Sequence, residues 1–206
     1  MKKRRCKWVK LKNPLYVEYH DKEWGVPHYN DNYLFELLAL ESFQAGLSWE
    51  CVLNKREAFR KAFDKFDYNK IEKYDEKKIE ELYKNNKIIR NKLKINATIN
   101  NAKIFINIQR EFGSFSNYIW SFSNNQIIKN IDNKFKTNSE LSDQISRDLK
   151  KRGMKFVGST IIYSYLQAIG VINDHELECD FYNIWTFCCK LLWWWKSKIY
   201  SRRKWF

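Results

Sequence analysis

Residues 31–45, DNYLFELLALESFQA, are apolar nearly all the way round a helical wheel. A surface helix keeps a polar face, so a segment without one belongs at the centre of a core. Asn30 and Asp31 offer a cap at its start and Gly46 a stop at its end. Amphipathic spacing predicts helices to surround it: Trp49, Val52, Leu53, Phe59 and Phe63 in 48–63, Ile79 and Leu82 in 69–84, and Ile95, Ile99, Ala102 and Phe105 in 88–112. Leu141, Ile145 and Leu149 repeat the spacing in 139–152, and VGSTIIYSYLQAIG at 157–170 reads as a second buried helix stopped at Gly170. Six glycines and two prolines in 206 residues are too few for the turns of a sandwich or barrel. An all-α fold of one domain, in one or two lobes, is expected.

The chain carries 38 Lys and Arg against 24 Asp and Glu, a formal net charge of +14. Such a balance favours a polyanionic partner, nucleic acid before a membrane surface. AT-rich codons, which yield Lys, Asn and Ile without functional demand, account for part of it. The start, MKKRRCKWVKLKNP, is basic but lacks the apolar core of a secretory signal. A reducing cytoplasm is expected, with the five cysteines free for metal.

Three groupings carry chemistry. His175 and Cys179 lie one helical turn apart and can reach one ion, and Cys6 and His20 could complete a tetrahedral Cys2His2 set. Two buried thiols and two satisfied histidines are the plainer reading of the same residues. Glu41 falls on the stripe Leu34, Leu38, Glu41, Ala45, so a carboxylate points into apolar surroundings and must be paired, protonated or open to a cavity. Tyr16, Tyr19, Trp24 and Trp49 flank that helix in sequence. Rings and a carboxylate together suit a purine pocket, although such rings also serve as core. KNNKIIRNKLKINA at 84–97 reads as a basic elbow between helices, with Arg90 and Lys94 as candidate phosphate contacts, or as a solvated loop. KKRGMKFVG at 150–158 has the same two readings.

CKWV at 6–9, PLYVEYHDKEWGVP at 14–27, LFELLALESFQAGLSW at 34–49, IIRNKLKINA at 88–97, WSF at 120–122, LKKRGMKFVGSTIIYSYLQAIGVINDH at 149–175 and Cys179 together resemble the motifs of the DNA-3-methyladenine glycosylase I family, in order. The resemblance spans about Cys6 to Tyr182 and implies a helix-hairpin-helix glycosylase fold over residues 1–182. It implies one structural zinc held by Cys6, His20, His175 and Cys179, joining the two chain ends. It implies a base pocket with Glu41 as the acting carboxylate, Trp49 as the stacking ring and Tyr16 and Tyr19 beside them, to which Trp24 is added here. Leu47, in the turn from Ala45 to Ser48, becomes the wedge that fills the duplex once a base is flipped out. The implied reaction is hydrolytic release of 3-methyladenine from alkylated double-stranded DNA without strand cleavage, by a monomer with no obligate protein partner.

Two departures qualify that implication. Lys87 stands where the family hairpin usually has glycine, which questions the tightness of the hairpin. Residues 183–206 form a basic tail with five of the nine tryptophans and no acid, and have no counterpart in the family pattern. The tail reads as an appended extension or as an interfacial segment, too short to span a bilayer, and membrane contact through it is not expected. Rivals to the enzyme reading are a catalytically impaired DNA-binding homologue of the same fold and a peripheral membrane protein.

Overall fold

The computed structural model describes residues 3–131 and 134–183. The expectations for the tail therefore fall, save Asn183, outside the described residues. Among the described residues ten α-helices follow one another: α1 Pro14–Lys22, α2 Asp31–Gln44, α3 Trp49–Asn54, α4 Arg56–Ala62, α5 Tyr68–Ile71, α6 Glu76–Lys84, α7 Lys92–Phe112, α8 Phe115–Ser121, α9 Glu140–Lys151 and α10 Ser159–Ala168. The only paired strands among the described residues, β1 Ile128–Lys129 and β2 Ile172–Asn173, form a short parallel ladder with Ile128 opposite Ile172.

Asparagine, aspartate and serine supply the punctuation that glycine and proline do not. Asn13, Asn30, Ser48, Asp67, Asp75, Asn91, Ser114 and Ser139 each accept a hydrogen bond from a backbone N–H of the helix they precede. Part of the Asn-rich composition is thus structural.

The segment expected to be central is α2, with Leu34 through Phe43 buried without interruption. It packs against α3, α7, α8 and α10. Elsewhere the boundaries are finer than the apolar spacing predicts. The run at 48–63 is two helices parted at Lys55. After Ala62 the chain turns through Asp64, Lys65 and Phe66, all at positive φ, before α5. The run at 69–84 divides into α5 and α6, and the helix expected from 88 starts at Lys92, because Ile88 to Asn91 belong to the connecting turn. Amphipathic spacing survives such breaks, since both pieces bury the same side.

The segments around Arg4 and Asp180 meet. Asp180 N–H donates to Arg4 O at 3.0 Å, Arg4 N–H to the Asp180 carboxylate at 2.9 Å, and Lys7 N–H to Glu176 Oε1 at 2.7 Å. Among the described residues no helix is long and apolar enough to cross a membrane.

Candidate functional site

A cleft of about 530 Å³ opens beside α2. Glu41 lies on its wall with Tyr16, Tyr19, Trp24 and Trp49, so the carboxylate and the four rings singled out in the sequence come together in one place. Trp8, Gln44, Ser164, Gln167 and Asp174 also line it and were not assigned from sequence. Trp8 was legible as a neighbour of Cys6, since its ring meets Tyr16 and Trp24 edge-on at centroid distances of 5.5 and 4.8 Å. Ser164 and Gln167 are three apart on α10 and share a face. Only their position relative to α2 makes that face part of the cleft.

Glu41 is 3% exposed, its Oε2 has no hydrogen-bond partner, and among the described residues no ion pair reaches it. Burial alone pushes its carboxyl up to about 8. Of the alternatives for a buried carboxylate, a salt-bridge partner for Glu41 is absent among the described residues. Tyr19, whose ring is 5.1 Å from that of Trp49, is held well above its ordinary pKa by burial and then by the nearby Glu41 charge. Tyr16 is raised by burial first. Both phenols therefore stay protonated donors. Trp49 Nε1–H is also buried without a partner among the described residues, so the wall carries two unsatisfied polar atoms.

The turn below the cleft is specified by its backbone. Leu47 N–H donates to Gln44 O, Ala45 has φ −47 and ψ 114, and Gly46 has φ +80, the signature of a type II turn. A Cβ on Gly46 would meet nothing within 4 Å, so glycine is required there by conformation alone. The turn leaves Leu47 44% exposed at its end.

At the elbow between α6 and α7, Arg90 is exposed. Lys87 does not adopt positive φ; its N–H donates to Asn85 Oδ1 at 3.0 Å, so the turn forms without glycine there. Lys94 is corrected: it is buried, and its Nζ donates to Phe43 O at 2.8 Å and Ala45 O at 2.5 Å. The first turn of α7 packs on the end of α2, so this ammonium faces inward and is not a phosphate contact.

Behind Trp24 lies the sulfur–imidazole group. The donor atoms of Cys6, His20 and Cys179 lie within 4.8 Å of one another, all buried. His175 is outside that tight set, with its ring 5.1 Å from that of His20. Its chemistry nonetheless suits a fourth ligand. Nδ1 is 3.0 Å from Asn173 Oδ1, Nε2 is buried without a partner, and burial draws its pKa down to about 3, which keeps the ring neutral. His20 Nδ1 sits 2.9 Å from Asp21 Oδ1, the carboxylate support common behind metal-bound imidazoles. The Cys6 thiol, and then His20, hydrogen-bond to Cys179 and draw it down to about 5, while Cys6 rises. Room is tight: a Cβ on Gly25 would lie 2.7 Å from His175 Cε1.

The sequence model described as methyladenine glycosylase matches residues 8–183. DNA-3-methyladenine glycosylase 1 of Escherichia coli (strain K12) is 44% identical over 181 residues, 86% of this chain and 96% of that protein. The DNA-3-methyladenine glycosylase of Haemophilus influenzae is 41% identical, covering 85% and 96%. A crystal structure of 3-methyladenine DNA glycosylase I superposes with a TM-score of 0.82 at 44% identity, over 86% of this chain and 99% of that one. A variant of 3-methyladenine DNA glycosylase I in complex with 3-methyladenine superposes with a TM-score of 0.81 at 34% identity, over 85% and 96%. This chain belongs to the methyladenine glycosylase family.

Proposed function

We propose that this chain is a DNA-3-methyladenine glycosylase that removes 3-methyladenine from alkylated double-stranded DNA by hydrolysing the N-glycosidic bond and leaves the strand intact. The observation that carries this reading is the unpartnered Glu41 carboxyl in a cleft walled by Tyr16, Tyr19, Trp24 and Trp49. In the nucleotide the methylated base is a cation. When the bond from sugar to base breaks, the bonding electrons stay on the base, which leaves neutral, and water adds to the sugar carbon and gives up a proton to solvent. The leaving base needs no proton, so the protein has to extract it, recognise it and stabilise positive charge.

Glu41 is the catalytic residue of this reading. Burial by itself favours its neutral form. A cationic ring restores the carboxylate, which then accepts N–H groups of the base and stabilises the oxocarbenium-like sugar. Trp49, Tyr16, Tyr19 and Trp24 bind the base through their faces, which attract a cation more than a neutral ring. Leu47 fills the gap in the duplex, and Arg90, at the helix-hairpin-helix formed by α6 and α7, meets the backbone phosphate.

Cys6, His20, Cys179 and His175 would hold one structural zinc ion, which supplies a clamp between the chain ends and no reacting group. Residues 1–182 act as a single domain and a monomer. Chromatography of bases released from methylated duplex DNA tests the reading. Free 3-methyladenine with unbroken, abasic strands is the expected result; bound DNA with no released base would favour the impaired homologue.

A further inference from the structure

Lys94, the basic residue that turns away from solvent, lies in the first turn of α7 at 6% exposure. Its two acceptors lie on either side of the point where α2 becomes the turn carrying Leu47: Phe43 O in the last helical turn and Ala45 O in the type II turn. Carbonyls at a helix end lack intrahelical partners. Leu47 N–H takes Gln44 O, and the ammonium takes the carbonyls on each side of it. Neutralising the end of α2 needs only a surface cation. Burying an ammonium is costly, and the cost is met here by charge-assisted bonds to this one turn.

A third segment closes the same spot. The Phe156 ring lies 5.8 Å from the Lys94 ammonium, and Phe156 O accepts the Ser42 hydroxyl at 3.1 Å. Phe156 has φ +54, a left-handed conformation unusual for an aromatic residue. Asn101 on α7 holds the preceding residue through Lys155 N–H and Lys155 O, at 2.8 and 2.9 Å. Three segments thus converge under Leu47.

We infer that Lys94 is a positioning residue whose ammonium ties the Ala45–Ser48 turn to α7, so that Leu47 and the Arg90 elbow meet a duplex as one rigid surface. The inference rests on the proposed reading of Leu47 as the wedge. It names a source of duplex engagement that touches neither the base nor the phosphates.

The test uses the full chain and duplex DNA with 2-aminopurine beside an abasic-site analogue, where fluorescence reports unstacking without any bond being cleaved. Wild-type protein is expected to raise the fluorescence. Lys94→Met and Leu47→Ala should each reduce the rise several-fold, and the double variant should be no worse than the poorer single one, as for residues acting as a unit. Single-turnover excision by Lys94→Met should fall on the order of 100-fold on duplex, as misplacement can produce, and stay near wild type on methylated single strands. Lys94→Gln, which keeps a neutral donor, should lie between the two and serves if the methionine variant does not fold. Wild-type-like unstacking by the Lys94 variants, additive losses, or equal loss on both substrates would overturn the inference, as would a wild-type chain that leaves the fluorescence unchanged. Unstacking without base release would count against the glycosylase activity alone.

Discussion

Glu36 and Glu41 are both buried on α2, but they stand about 140° apart around its axis and meet different neighbours. Glu36 receives Arg56 Nε at 2.5 Å and Arg60 Nη2 at 2.8 Å, and Arg56 also reaches Glu23 at 2.7 Å. Glu23 in turn accepts the Tyr33 hydroxyl at 2.5 Å. Glu41 receives no cation among the described residues, and its surroundings are aromatic. The same helix therefore holds one carboxylate whose burial is compensated within the protein and one whose burial is not. A stability role accounts for the first. The second is what a site for a cationic ligand requires, because there the missing countercharge arrives with the ligand.

The group of Cys6, His20, His175 and Cys179, proposed to hold zinc, backs the aromatic wall through Trp24, whose ring centroid is 4.6 Å from that of His175. Cys6→Ser or His175→Ala should lose the metal and about 5 kcal/mol of stability, since metal binding contributes directly to folding. Elemental analysis and thermal melting check this; freshly purified wild-type protein without zinc would remove the claim. Arg56→Met breaks the Glu36 cluster and should cost about 3 kcal/mol in chemical denaturation, while excision per folded molecule stays unchanged. A selective loss of excision would mean that the two carboxylates are not separate in role.

Local sequence reached part of this contrast. The fully apolar wheel of 31–45 located α2, and the stripe through Leu34 and Leu38 identified Glu41 as buried. Whether it found a partner was not legible, because partners come from other elements: Arg56 and Arg60 on α4 reach Glu36, and among the described residues nothing charged reaches Glu41. Lys94 misleads for the same reason. A basic run at a turn reads as solvent-facing until the packing of α7 on the end of α2 turns one of its cations inward. The ligand set Cys6, His20, His175 and Cys179 rested on the one-turn spacing of His175 and Cys179 and on family likeness, while the approach of Cys6, His20 and Cys179 depends on the segments around Arg4 and Asp180 meeting.

The unmet burial of Glu41 should also appear in the pH dependence of stability. Its folded carboxyl is raised to about 8 from an ordinary value of 4.5. Between those values the unfolded chain releases a proton that the folded chain retains. Stability from this group is therefore full at acid pH and declines as pH rises towards 8, by up to about 1.4 kcal/mol per pH unit. Comparing wild type with Glu41→Gln from pH 4 to 9 isolates the slope, because every other group is shared. Parallel curves would contradict it.

A smaller effect separates cleft from docking surface. Arg90→Glu should leave melting unchanged and flatten the dependence of log K on log salt by roughly 0.9, the contribution of one phosphate contact. An unchanged slope would move the docking surface away from the elbow.

Glu41→Gln tests the central claim most directly, with melting temperature and single-turnover excision measured on the same preparation. The substitution keeps shape and removes the charge. The account predicts a melting temperature equal to or above that of wild type, as expected when a strained functional group is relieved, together with a marked fall in release of 3-methyladenine. A protein that melts earlier yet excises at the wild-type rate would contradict it, and would make Glu41 a structural residue like Glu36.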